Sequence, residues 1–211
     1  MTNRTARIVV LISGAGSIMA ALASACEDPK YRATIAAVIA DRADAGGLAV
    51  AANAGIPTAI VSPGDFPDRA TWDSAVARAA AAFKPDLVVC AGFMRLLGDP
   101  VLRAFPGHIV NTHPALLPAF PGAHAVREAL AAGVKVTGCT VMIVDEGVDT
   151  GPILAQRAVV VREDDTETSL HERIKAAERE LVVDTIGTMV RSGWTMEGKV
   201  ARVGTTEGTV S

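Results

Sequence analysis

The stretch RIVVLISGAGSIMAALASAC, Arg7 to Cys26, decides the fold. It opens on a nearly continuous apolar run, breaks at the glycines of SGAGS (13–17), and resumes as an alanine-rich segment of helix formers. A strand covered on one face alternates apolar with polar residues, whereas a continuous run reads as a strand covered on both. Such a strand, succeeded at once by a glycine loop and a helix, is the start of a βαβ unit. The same kind of run recurs at TIAAVIA (34–40), DLVVCAG (86–92) and HIVNTH (108–113), with the helical stretches AGGLAVAANAG and RATWDSAVARAAAAF between them. This alternation predicts an α/β fold with a doubly wound, mostly parallel, Rossmann-like sheet.

Downstream the pattern changes. KVTGCTVMIV (135–144) and GPILAQRAVVVRE (151–163) succeed one another without a helix between them, which predicts an antiparallel C-terminal extension of the sheet, added after Asp149. A long helix is expected from about Thr166 to Ser192, opened by the cap candidates Asp164, Asp165 and Thr166. WTMEGKVARVGTTEGTVS then reads as a hairpin or strand with a frayed tail. No linker or repeat divides the chain, so we expect a single domain over 1–211, with halves of 1–105 and 106–195 and a short tail at 196–211.

With 211 residues, half of them hydrophobic, the chain is long enough to bury a sizeable core. Its formal net charge of -3, without a basic block, gives no electrostatic reason to expect nucleic acid or an acidic membrane surface. Apolar runs fall short of the roughly 18–20 residues that span a bilayer, and the N-terminus passes straight into the first strand without a cleavage-site pattern. Cys26, Cys90 and Cys139 are far apart among apolar neighbours, which points to buried thiols of a cytoplasmic protein and not to a metal knuckle.

The glycine loop has two readings. Unpaired N–H groups at a helix start carry partial positive charge and receive a phosphate readily, which would engage Gly14, Gly16 and Ser17. Neither the dinucleotide spacing nor a Gly-Lys-Ser/Thr sequence is present, so a bound group would be a single phosphate. The other reading is a tight βα turn without ligand.

NTHPALLPAFPG (111–122) carries the chemistry. The strand period of two puts Asn111 and His113 on one face, at the C-terminal edge where α/β sheets bind ligands. Pro114 stops the strand, and Pro118 and Pro121 stiffen the segment beyond it. DEGVDTGP (145–152) supplies carboxylates, with Asp149 next to the following strand. An imidazole held by a carboxylate gains proton affinity from a free value of about 6.5 and can donate to a developing oxyanion, while an asparagine amide adds a second donor. No serine or cysteine nucleophile accompanies them, which points to direct attack by a substrate amine. Alternatively His113 is a satisfied strand-end histidine and the acids form a solvated turn.

Together SGAGS, AGFMRLL (91–97), NTHPALLPAFPG and DEGVDTGPIL (145–154) resemble the folate-dependent formyltransferases, in register from about residue 7 to about residue 190. Branches of that family acting on aminoacyl-tRNA carry a further C-terminal domain, and the hydrolytic branch adds an N-terminal regulatory one. A first strand near Arg7 in a chain of 211 residues fits the branch that formylates a ribonucleotide. The resemblance implies 10-formyltetrahydrofolate as formyl donor, phosphoribosylglycinamide as acceptor, a role in purine biosynthesis and no metal requirement. Monomers and homodimers both occur in the family, so a homodimer is one of two assemblies it implies.

Residue by residue, the resemblance makes His113 the general acid, Asn111 the ligand of the formyl oxygen, and Asp149 the group that orients His113. It gives the ribonucleotide phosphate to Gly16, Ser17, Ile18 and Met19, with Lys175 and Glu178 contacting the same substrate. Main-chain groups of Arg95, Leu96 and Leu97 would meet the pterin, Met94, Leu97 and Val144 would form an apolar slot, and Asp145, Glu146, Gly147, Val148 and Asp149 would complete the pocket. Arg69 falls near the folate's glutamate end. Met94 and Leu97 could instead be core, and Arg69 and Lys175 solvated surface charges. Ala15 and Ile18 depart from the family's pattern and throw more weight on backbone N–H groups and Ser17, while Ala115, in place of a frequent serine, removes a possible hydroxyl contact. A 10-formyltetrahydrofolate hydrolase and a non-catalytic folate- or nucleotide-binding module are the rival readings.

Overall fold

A computed structural model describes residues 4–204; the 205–211 part of the expected tail lies outside the described residues. The chain divides into two compact units, one ending at Asn111 and the other beginning at Thr112.

The first unit is built on β1 (Ala6–Ile12), which lies parallel to both β2 (Ala33–Ala40) and β4 (Leu87–Cys90). β3 (Thr58–Ile60) adds to the outer side of β2 and β5 (Ile109–His113) to that of β4, again parallel, giving the order β3-β2-β1-β4-β5. Val9, Val10, Leu11 and Ile12 are fully buried, as the continuous apolar run requires of a central strand. Helices α1 (Ser17–Cys26), α2 (Gly47–Asn53), α3 (Arg69–Ala81) and α4 (Asp99–Ala104) form the crossovers.

Gly16 is the N-cap of α1 with φ 75, and a Cβ there would stand 2.7 Å from the Gly47 Cα. Glycine is therefore demanded at Gly16 by the backbone conformation and by close packing of two helix starts. Gly14 has nothing within 4 Å of the place a Cβ would take. Packing does not explain its glycine, and the loop is open on that side.

In the second unit β6 (Val136–Ile143) pairs antiparallel with β7 (Ile153–Val160), as the missing crossover helix predicts. The pair forms around Asp149 and not after it, since β6 precedes that residue. β9 (Val200–Val203) lies parallel to β7 through Ile153 and Val200, and β8 (Trp194–Glu197) turns back antiparallel on β9. α5 (Ala125–Ala131) is short, and α6 (Glu167–Ser192) runs 26 residues. Thr166 caps α6 by accepting from the Ser169 N–H at 3.1 Å while the Ser169 hydroxyl accepts from the Thr166 N–H at 3.0 Å. That reciprocal pair satisfies two otherwise orphaned backbone donors. Leu170, Ile174, Leu181, Val182, Ile186 and Met189, at helical spacing, are the buried stripe by which α6 packs on β6 and β7. The sheet is thus mostly parallel and flanked by helices, with antiparallel strands at its C-terminal end.

Candidate active site

His113 ends β5 and is buried, with 4 % of its surface exposed. Its Nε2 lies 2.7 Å from the Phe120 carbonyl oxygen. A carbonyl only accepts, so Nε2 carries a proton and donates it. Its Nδ1 lies 3.3 Å from Asp149 Oδ2, and the same oxygen accepts the Gly122 N–H at 2.8 Å. Both ring nitrogens thus face acceptors, an arrangement that only the doubly protonated ring satisfies in full. The carboxylate and two backbone groups of 120–122 hold the imidazole in one plane.

The segment after the histidine is pinned by one buried hydroxyl. Thr140 Oγ1, fully buried in β6, donates to the Ala115 carbonyl at 2.7 Å and accepts the Leu117 N–H at 3.0 Å. Gln156 on β7 adds a bond to the Leu117 carbonyl at 2.8 Å and another to Thr140 Oγ1 at 3.0 Å. The sequence suggests that the prolines fix this loop, and in the structure side chains of the antiparallel pair do so as well. Ala115 is fully buried, so its missing hydroxyl leaves no exposed contact behind.

Asp149 sits at φ 54, in the left-handed region. Asp and Asn reach that region more readily than other side chains. Its loop is tied by Asp145, whose Oδ1 accepts the Thr150 hydroxyl at 2.7 Å and the Gly147 N–H at 3.1 Å. Burial raises the Asp145 carboxyl, but Lys199, Thr150 and Gly147 together outweigh it and bring it below the usual carboxylate range. Glu146, Gly147 and Val148 are exposed, and Val144 is half-buried.

On α6, Glu178 is buried and accepts the Thr112 hydroxyl at 2.5 Å. Burial pushes its carboxyl upward, opposed by the Thr112 bond and by the charges of His113 and Lys175. Lys175, one turn earlier on the same face, pairs with Glu172 at 2.9 Å.

In the first unit, Asn111 is half-buried on β5, two residues before His113 in the chain. Ser17 is exposed, whereas the Ile18 and Met19 side chains are core, at 6 % and 0 % exposure. Only their main chain can meet a ligand. The first hydrogen bond of α1 runs from Ala20 N to Gly16 O, which leaves the N–H groups of Ser17, Ile18 and Met19 as its unsatisfied helix-start donors.

The loop after β4 is held by side chains from three other elements. Ser13 Oγ accepts the Met94 N–H at 2.9 Å, and the buried Asp41 carboxylate pairs with Arg95 Nε at 2.9 Å. Asp73, also buried, accepts Arg69 Nε at 2.8 Å and the Gly98 N–H at 3.0 Å. Arg69 donates to the Leu96 carbonyl and lies 4.9 Å over the Trp72 ring. Met94 and Leu96 are exposed at 79 % and 60 %, which is unusual for residues of this size, while Leu97 is core.

None of the three cysteines is disulfide-bonded. Burial pushes the Cys90 and Cys139 thiols up to about 12 and the half-buried Cys26 to about 11, so none is a ready thiolate. Among the described residues no cluster of His, Cys, Asp and Glu could hold a metal ion, and no helix is long and apolar enough to cross a membrane.

An α/β scaffold with an open glycine loop, and a strand-end histidine fixed by a carboxylate, define the class: a domain equipped for acid–base chemistry on a small molecule. The chain belongs to the formyl transferase family, whose profile matches residues 6–186. It is 51 % identical over 199 residues to the phosphoribosylglycinamide formyltransferase of Mycobacterium tuberculosis, covering 94 % of this chain and 92 % of that protein. It is 39 % identical to the protein of the same name from Bacillus subtilis, over 82 % of this chain and 88 % of that one. The crystal structure of glycinamide ribonucleotide transformylase 1 from Symbiobacterium toebii matches with a TM-score of 0.92 at 44 % identity, covering 96 % of this chain and 94 % of that one.

Phe120, Gly122 and Thr112, which lie inside NTHPALLPAFPG without being singled out there, and Thr140 and Gln156, which lie in no site motif, also join the site. The first two act through backbone groups, which no residue identity advertises. Thr140 and Gln156 sit in strands where a polar residue among apolar ones is the available signal.

Proposed function

We propose that this chain transfers the formyl group of 10-formyltetrahydrofolate to the amine of phosphoribosylglycinamide, giving formylglycinamide ribonucleotide and tetrahydrofolate in purine biosynthesis. The observation that carries the reading is the buried His113, protonated on Nε2 and faced on Nδ1 by Asp149. The neutral amine attacks the formyl carbon, and a tetrahedral oxyanion forms. Asn111 stabilises it by donating a hydrogen bond, and His113 does so by giving up the Phe120 carbonyl and turning its Nε2–H to the oxyanion, Asp149 staying on Nδ1. The C–N10 bond then breaks, the amine's proton is lost, and N10 receives one through His113 and Asp149.

The N–H groups of Ser17, Ile18 and Met19, with Gly14 and Gly16 leaving the loop open, take the ribonucleotide phosphate, a single phosphate needing no loop lysine. Lys175 and Glu178 contact the same substrate. Main-chain groups of Arg95 to Leu97 read the pterin, and Met94 and Val144 with the 145–149 loop contact it. Leu96 contributes its N–H, because its carbonyl is taken by Arg69. Arg69 reaches the folate's glutamate end by the guanidinium edge not held by Asp73. The whole chain works as one formyltransferase domain in the cytoplasm on small molecules, without nucleic acid or membrane, as a homodimer whose mass light scattering would check.

The test is incubation of pure protein with 10-formyltetrahydrofolate, with and without phosphoribosylglycinamide, while deformylated folate is monitored. Turnover that needs the ribonucleotide is expected. Equal turnover without it would make the protein a hydrolase, and binding without turnover would make it a module.

A further inference from the structure

The C-terminal hairpin reaches back to the loop that carries Asp149, and it does so through one side chain. Lys199 stands at the tip between β8 and β9, where Glu197 pairs with Val200 and Gly198, at φ 59, makes the tight turn. Its Nζ donates to Asp145 Oδ2 at 2.7 Å and to the Thr150 carbonyl at 2.6 Å. Those two acceptors bracket the segment 146–149. Asp145 in turn holds the Gly147 N–H and the Thr150 hydroxyl with its other oxygen, so one ammonium and one carboxylate close the loop at both ends.

The loop needs such a closure. Asp149 is at φ 54, away from the region most side chains favour, and its one carboxylate oxygen serves both His113 Nδ1 and the Gly122 N–H. A small rotation of the loop would lengthen the contact to His113, already 3.3 Å. Gly147 and Gly151 allow no stiffening by side chains, since a Cβ on Gly147 would collide with Thr150 and one on Gly151 with the Ile143 carbonyl. Asp145 ties the loop from within, and the hairpin adds a restraint from outside it through Lys199.

We infer that Lys199 is a positioning residue for the reaction: by clamping Asp145 and the Thr150 carbonyl it holds Asp149 against His113. This rests on the formyl-transfer reading, in which Asp149 works through His113. Lys199 itself touches neither His113 nor Asp149, and its side chain is 69 % exposed, so a purely structural pair here would be worth little.

The experiment is a double-mutant cycle on the full chain, with wild type, Lys199→Met, Lys199→Arg, Asp149→Asn and the Lys199→Met/Asp149→Asn double variant. Ribonucleotide-dependent formyl transfer is measured at saturating substrates, with KM for the ribonucleotide and Tm recorded for each. Lys199→Met should lower kcat about 3- to 10-fold, the size of losing two charge-assisted bonds at a partly exposed site, with KM for the ribonucleotide changed less than about twofold. Lys199→Arg should recover most of the loss. In the Asp149→Asn background Lys199→Met should cost nothing further, because the group it positions has gone. A kcat for Lys199→Met equal to wild type, or a loss that repeats in full in the Asp149→Asn background, overturns the Lys199 role alone. A wild-type protein without ribonucleotide-dependent turnover overturns the formyl-transfer reading, and the Lys199 role falls with it.

Discussion

Asp149→Asn removes one charge and almost nothing else. Asp149 stands at φ 54, where asparagine is tolerated as well as aspartate, so the backbone should not move. The amide oxygen can still accept the Gly122 N–H that Oδ2 accepts at 2.8 Å, so the bond that seats the loop is kept. The loss is the negative charge 3.3 Å from His113 Nδ1. For a protonated ring, Coulomb's law at that distance gives about 5 kcal/mol at an effective dielectric of about 20, and about 1.3 kcal/mol in bulk water. The two side chains are 5 % and 12 % exposed, which places the pair between those limits. At about 1.4 kcal/mol per decade the loss in kcat lies between about tenfold and a few thousandfold. Initial rates at saturating ribonucleotide and formyl donor read it directly, with a melting curve as control. Because the same pair also stabilises the folded chain, Tm should fall as well, by about 2–4 °C per kcal/mol lost in a protein of this size. A kcat within twofold of wild type, measured well below the variant's Tm, would refute the assignment of Asp149 to the reaction.

His113→Ala should lower kcat by about a hundredfold or more while the dissociation constant for the folate, measured by fluorescence titration, changes only a few-fold; an unchanged kcat removes His113 from the chemistry. Glu178→Gln keeps an oxygen for the Thr112 hydroxyl but abolishes a carboxyl that burial pushes upward. A group raised on folding contributes stability below its unfolded pKa and loses it as pH rises through the folded one, so the variant's gain in Tm over wild type should be larger at pH 8 than at pH 4; equal gains at both would contradict this. Gly16→Ala places a Cβ 2.7 Å from Gly47 at φ 75 and should cost about 1–3 kcal/mol in stability while raising KM for the ribonucleotide; calorimetry and kinetics check each half.

The parts of the fold legible in the sequence are those with long or continuous patterns. β1 shows as an apolar run, and α6 shows as a 26-residue stripe whose cap, Thr166, lies where the run of Asp164, Asp165 and Thr166 suggests. α4, with six residues, and α5, with seven, do not stand out, because one or two turns offer too few periodic positions. β3 escapes for a similar reason, being three residues long with two of them exposed. In the candidate site the pairing of His113 with Asp149 is legible, since both stand in motifs that close strands. The partner of Glu178 is not, because Thr112 is 66 positions away in sequence and only the fold brings the two together.

The arginines show how a residue can be singled out for one reason and placed by the fold for another. Arg69 attracts notice as a cation for the folate's glutamate end and Arg95 for its main-chain groups against the pterin, so of the two only Arg69 is expected to reach for a charge on the ligand. In the structure each is first spoken for by a buried carboxylate, Asp73 and Asp41, at 2.8 Å and 2.9 Å. Asp73 also takes the Gly98 N–H, Arg69 takes the Leu96 carbonyl, and Ser13 takes the Met94 N–H, so the loop over 94–98 is tied at alternate residues. A loop whose backbone is to read the donors and acceptors of a flat ring must hold those groups still, and a mobile loop would lose the ordering entropy on every binding event. Side chains that face away from the ligand can supply that stillness, leaving the exposed Met94 and Leu96 to offer apolar surface. On this view Asp41 and Asp73, which no motif marks, govern folate affinity as much as the arginines they hold. Asp73→Asn would leave Gly98 its acceptor and weaken only the grip on Arg69, so it separates the two functions of that carboxylate: a higher KM for the folate at unchanged kcat is the expected result, and an unchanged KM would return Arg69 to the role of a surface charge.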